Sequence, residues 1–109
     1  MNYKIFRSDN FSKQLRKLAK KYPSIKIDYE FLLDSLKLNP QLRSPLGNKC
    51  YKVKLKIASK QQGESGGARV ITYVLIDEHK IILLDIYDKS DRDSITDKEL
   101  QVLIKKAVQ

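Results

Sequence analysis

The chain has 109 residues, enough for one compact domain (1–109) with a modest core and too few for two independent ones. Its 22 Lys plus Arg against 13 Asp plus Glu leave a formal charge of +9, which makes polyanions the natural class of partner. No stretch approaches the ~20 apolar residues that cross a bilayer, the start lacks a signal-peptide core, and the lone Cys50 excludes an internal disulfide, so a cytoplasmic protein without membrane contact is expected.

Residues 2–7 alternate weakly around Tyr3, Ile5 and Phe6 and predict a short strand, with Ser8 or Asp9 capping the next element. Phe11, Leu15, Leu18 and Tyr22 then recur on one helical stripe, while Lys13, Arg16, Lys17, Lys20 and Lys21 fill the remaining surface. Residues 1–21 carry seven basic groups and one acid, so this helix is strongly cationic. Pro23 suits the first turn of a second helix, in which Ile25, Tyr29, Leu32, Leu33 and Leu36 keep the helical period until Asn39 and Pro40 end it. The two form a helical hairpin whose apolar side must cover a sheet.

A loop is predicted over residues 39–49, after which the period changes to two. Tyr51, Val53, Leu55 and Ile57 point one way and Lys52, Lys54 and Lys56 the other, the clearest pattern in the chain. Residues 61–67, QQGESGG, predict a mobile loop before a strand over 68–76, a turn at 77–79, and a strand over 81–87. That last strand is apolar at nearly every position, as expected of one covered on both faces. Residues 88–95 read as a charged connection, which also accounts for Asp85, Asp88, Asp91 and Asp93 better than a cation site does. Thr96 and Glu99 match a capping box before Leu100, Leu103, Ile104 and Ala107. The expected fold is α+β: an N-terminal strand, a helical hairpin, a three-stranded antiparallel meander and a C-terminal helix, with the helices mainly on one face.

Lysines two apart on a strand stand about 6.6 Å from each other. At an effective dielectric near 20 each neighbouring pair repels by roughly 2.5 kcal/mol, and a polyanion relieves that repulsion. The plainer account is a solvated strand face that also guards an edge against aggregation. If the chemistry is RNA cleavage, a 2'-hydroxyl attacking its own 3'-phosphate needs a base, cations for the charge developing on phosphorus oxygens, and an acid for the 5' oxygen, but no metal. Paired histidines cannot supply these, because His79 is the only histidine. Lysines, Arg69 as a planar phosphate clamp, and a tyrosine remain, with a surface ion pair as the plainer account of Arg69. Gly63, Gly66 and Gly67 form no phosphate loop, there is no zinc spacing, and Cys50 reads as a small buried hydrophobe, so no metal or cofactor is expected.

The segments CYKVKLKIASKQQGESGGARVITYV (50–74) and LLDIYDKSDRDSIT (83–96), preceded by the helical hairpin, resemble toxins of the RelE/HigB type from bacterial toxin-antitoxin modules, over nearly the whole chain. The resemblance implies a RelE/ParE-like fold and a ribonuclease that cuts messenger RNA in the ribosomal A site. Implied partners are a cognate antitoxin, messenger RNA, the ribosome with its ribosomal RNA, and a higher-order complex with antitoxin and operator DNA. Carried over by position, Lys52 and Lys54 match the basic strand residues of that active site, one of them the base. Lys56 extends the row, Arg69 matches the phosphate-gripping arginine, and Lys89 falls in the basic stretch after the last strand. Several relatives place a tyrosine near or within the last helix, whereas residues 88–109 contain none. Tyr87, Lys89 and Arg92 are the candidates for the acid, and Lys13, Arg16, Lys17, Lys20 and Lys21 would hold ribosomal RNA. The alternatives are a ParE-like inhibitor of DNA gyrase and a non-catalytic RNA-binding module.

Overall fold

The computed structural model describes residues 3–41, 44–60, 66–92 and 94–108. In chain order it contains strand β1 (Lys4–Arg7), helices α1 (Asp9–Lys21) and α2 (Ile25–Leu38), strands β2 (Ser44–Gly47), β3 (Cys50–Leu55), β4 (Ala68–Leu75) and β5 (Lys80–Asp88), and helix α3 (Asp97–Ala107). The α+β expectation holds. Ser8 caps α1 by accepting the Phe11 N–H at 3.1 Å, and Asp9 at the start with Lys20 and Lys21 at the end complement the helix dipole. The capping box of α3 is complete: Glu99 N–H donates to the Thr96 hydroxyl at 3.1 Å, and Thr96 N–H to the Glu99 carboxylate at 3.2 Å. Pro23 lies in the turn before α2 rather than in its first turn. Ser24 at the head of α2 is engaged elsewhere, accepting from Ser59 N–H at 2.9 Å and donating to Asp28 at 2.7 Å.

The five strands form one sheet in the order β1-β5-β4-β3-β2. β3, β4 and β5 make the expected antiparallel meander. Two features differ from the sequence reading. β1 joins the far edge by pairing parallel with β5, and the expected loop over 39–49 contains β2, which pairs antiparallel with β3 through Ser44 opposite Lys52. Pro45 and Gly47 hid this strand, although proline is tolerated where a strand forms a sheet edge. β3 also ends at Leu55, so Lys56 and Ile57 lie just past it.

Helices cover both faces instead of mainly one. Phe11, Leu18, Ile25, Leu32 and Leu36 of α1 and α2 pack with Val53, Leu55, Val70, Val74, Ile81, Leu83 and Ile86. On the opposite face Leu100, Leu103 and Ile104 of α3 pack with Cys50, Ile71, Leu84 and Tyr87. The reason is visible in β5, whose apolar residues face both ways and need a helix on each side. Leu83 and Leu84 face opposite cores by ordinary alternation, and a register shift opposite Ile71 and Thr72 lets Ile86, three residues after Leu83, join the same core as Leu83. Asn10 Nδ2 bonds the Leu84 carbonyl at 2.9 Å and the Asp85 carboxylate at 3.1 Å, tying α1 to this irregularity. β4 starts hard against β3: a Cβ on Gly67 would lie 2.2 Å from the Leu55 carbonyl oxygen. Of the expected mobile loop over 61–67, positions 61–65 lie outside the described residues, as does Asp93.

Candidate active site

Lys54 stands directly opposite Arg69, and Arg69 directly opposite Tyr87. Side chains so paired share one face and stand about 5 Å apart, so strands β3, β4 and β5 carry a Lys54, Arg69, Tyr87 row across the sheet. Lys52 lies two residues along β3 on the same face, in a row with Ile71 and Asp85. Lys54 and Lys56 are exposed and Lys52 is half-buried. Arg69, by contrast, is only 3% exposed and donates from Nη1 to the Ala68 carbonyl at 3.1 Å, so it does not lie on the surface.

Tyr87 is 7% exposed, and the Arg92 guanidinium lies 5.0 Å from its ring centroid. Arg92 also bonds Glu99 at 2.5 Å, which fixes the segment after β5 to the first turn of α3. The Glu99 carboxyl is held below its ordinary range by the Thr96 N–H and by Arg92. Lys89 is exposed, and its N–H donates to the Gly67 carbonyl at 3.0 Å, so the candidate acid segment is stitched to the start of β4. A groove of about 320 Å³ brings Lys17 and Lys21 of α1 together with Tyr87 and Arg92. Lys13, Arg16 and Lys20 are exposed on α1 but do not line it.

One group whose partners sequence reasoning could not see supports this end of the sheet. Asp88, 1% exposed, accepts from Lys60 Nζ at 2.5 Å, from the Ser90 N–H at 2.9 Å and from the Tyr22 hydroxyl, with Lys21 Nζ at 3.7 Å. Burial pushes its carboxyl up, but the bonds from Lys60, Ser90 and Tyr22 outweigh burial and hold it well below the usual carboxylate range. Asp88 thereby joins the α1 to α2 turn, the segment after β3 and the turn after β5. Asp85 and Asp88 thus belong to β5 and are buried, which corrects their assignment to a charged connection. Burial raises the Asp85 carboxyl, against the bonds from Asn10 and the Ile86 N–H. The one local signal was a carboxylate ending an apolar strand; its partner Lys60 is 28 positions away.

His79 occupies a left-handed turn against Tyr3, far in the chain from the lysine row. Cys50 is 1% exposed, and burial pushes its thiol up to about 12. Among the described residues no three of His, Cys, Asp and Glu come together as a metal-binding group. No helix among them is long and apolar enough to cross a membrane.

A sheet covered on both faces, with a cationic row at one end and a basic helix beside it, defines a small basic α+β protein suited to a polyanion. The model of the family described as the RelE toxin of the RelE/RelB toxin-antitoxin system matches residues 3–109. The chain belongs to this RelE toxin family. Its fold is similar to that of a free E. coli RelE toxin carrying two arginine-to-alanine replacements, with TM-score 0.61, 19% identity, and 99% of this chain and 96% of that one covered. It is likewise similar to the intact E. coli RelBE toxin-antitoxin complex, with TM-score 0.60, 18% identity, and coverage of 79% and 95%. The RelBE2 toxin-antitoxin complex of Mycobacterium tuberculosis follows, with TM-score 0.55, 16% identity, and coverage of 84% and 95%.

Proposed function

We propose that this toxin is a metal-independent endoribonuclease that cuts messenger RNA on the ribosome, acts in the cytoplasm, and is held inactive by a cognate antitoxin. The observation that carries the reading is the Lys54, Arg69, Tyr87 row with Lys52 beside it. Lys54 or Lys52 takes the proton from the 2'-hydroxyl, whose oxygen forms a new bond to phosphorus as the bond to the 5' oxygen breaks. Exposed Lys54 and Lys56 meet the phosphate first, and Arg69 adds its charge within the same row to stabilise the phosphorane oxygens. The leaving 5' oxygen is protonated from the Tyr87 to Arg92 stretch, where Tyr87, Lys89 and Arg92 are the available donors. The basic face of α1, including Lys17 and Lys21, holds ribosomal RNA without reading sequence.

The test is to induce the protein in cells and map messenger 5' ends by primer extension. Cuts inside translated codons are expected, and Lys54→Ala and Arg69→Ala should each lower cleavage by about 100-fold or more. Lys54 is exposed, so its removal is expected to leave the melting temperature unchanged while ribosome binding falls only modestly. Absence of cuts, accompanied by gyrase-linked DNA damage, would replace the nuclease reading with gyrase inhibition. Binding that declines gradually with each lysine removed, with no cleavage, would mark a non-catalytic RNA-binding module.

A further inference from the structure

Asp85 is 6% exposed, and the bonds to its carboxylate fall on one oxygen: Oδ1 accepts from Asn10 Nδ2 at 3.1 Å and from the Ile86 N–H at 2.9 Å. Among the described residues Oδ2 accepts no hydrogen bond. Burial raises the Asp85 carboxyl despite the two bonds it has, so a further donor is what the ionised form lacks. The residue lines a pocket of about 410 Å³ where the start of α1, β5 and the start of α3 meet. Ile95, Val102 and Leu103 give this pocket an apolar wall, and Val102 is 46% exposed. Its other carboxylate, Glu99, is already held by the Thr96 N–H and Arg92, and the Asn10 amide by the Leu84 carbonyl. Asp85 and Arg92 line both this pocket and the groove beside Tyr87, so the two spaces adjoin. An apolar wall with one open acceptor is how proteins hold an unstacked nucleobase by its edge.

Resting on the ribonuclease reading above, we propose that this pocket takes the base of the nucleotide 3' to the cut, and that Asp85 Oδ2 selects a base bearing an exocyclic amino group. The 5' oxygen that leaves belongs to that nucleotide, and the donors proposed for it lie in the Tyr87 to Arg92 stretch, whose Arg92 is shared with the pocket. Adenine, cytosine and guanine each carry an amino N–H for Oδ2. The one edge N–H of uracil lies between two carbonyl oxygens, which a carboxylate repels. A site whose buried acceptor is left unpaired by the wrong base rejects that base, so Asp85 is a specificity residue rather than a general anchor. Oδ1 has the separate task of tying α1 to β5 through Asn10.

The test gives the full-length protein ribosomes programmed with four messages that differ in the base 3' to the cut, and compares kcat/KM for cleavage. Wild type should cut the uracil message at least about tenfold more slowly than the best of the other three. Asp85→Asn keeps an acceptor for Asn10 and Ile86 and puts an N–H donor in place of Oδ2, so it should bring uracil within about threefold of the best base. Val102→Trp, at an exposed position, fills the pocket from its rim and should lower cleavage of the amino-bearing messages toward the uracil level. Equal cleavage of all four messages by wild type overturns the pocket and leaves the nuclease reading standing. So does an Asp85→Asn or Val102→Trp protein that slows all four in proportion, because a merely structural role predicts that pattern. A wild-type chain that cuts none of them removes the nuclease reading, and the proposal with it.

Discussion

Lys54 and Arg69 face each other across two strands yet live in different surroundings, one in solvent and the other 3% exposed. A lysine at the margin of the sheet solvates its ammonium through a flexible stem, whereas the guanidinium in the middle strand is enclosed and bonds to backbone. Substitution at Lys54 therefore reports chemistry, and substitution at Arg69 reports chemistry and folding together. Cys50 illustrates burial acting alone. With its thiol pushed up to about 12 and only 1% of the residue exposed, the reactive thiolate is scarce at neutral pH. Ellman's reagent should leave native protein unmodified for hours and react with one equivalent per chain once denaturant is added.

At the scale of elements, β3 and β4 approach closely at Gly67. Gly67 O also accepts the Lys89 N–H, so one glycine connects the end of β3, the start of β4 and the turn after β5. Gly67→Ala would drive a methyl to 2.2 Å from the Leu55 carbonyl oxygen, where backbone and not a yielding side chain must move. A loss of about 2 kcal/mol or more is expected in urea unfolding, together with reduced cleavage because both halves of the candidate site shift. The segment after β5 is constrained from its other end by α3, through the Arg92 to Glu99 pair and the capping box. That attachment explains how a connection dense in charge keeps Tyr87 and Arg92 stacked.

For the whole molecule, the charge of Asp88 bears on stability because it is buried and the side chain of Lys60 beside it is only 9% exposed. Breaking a buried pair leaves an uncompensated charge, so Asp88→Asn should cost about 3 kcal/mol at neutral pH and lower the melting temperature by roughly 10 °C or more. Adding Lys60→Met should restore much of that loss. The folded carboxyl is held below its ordinary value, so its contribution is complete above about pH 4 and lost as pH falls through the lowered range. Asp85 acts in the opposite sense: its raised carboxyl costs stability once ionised, a cost relieved on acidification. Thermal melts across acid pH should therefore fall more steeply for wild type than for Asp88→Asn, and a variant as steep as wild type would assign the acid limb to other carboxylates.

Helical stripes, the two caps, the alternating lysines and the doubly apolar β5 were legible in the sequence because each is written within a turn or two of chain, where backbone geometry alone sets the period. The same reading placed Lys52, Lys54, Arg69 and Tyr87 on strands that pair. It could not bring β1 beside β5, recognise β2, or send α3 to the opposite face, since those choices depend on burying apolar surface across the entire sheet. Nor could it see Arg69 enclosed, Lys60 meeting Asp88, or Ile27 and Phe31 left in solvent. Burial and ion pairing belong to distant segments brought together, and those free energies exist only after the chain has folded.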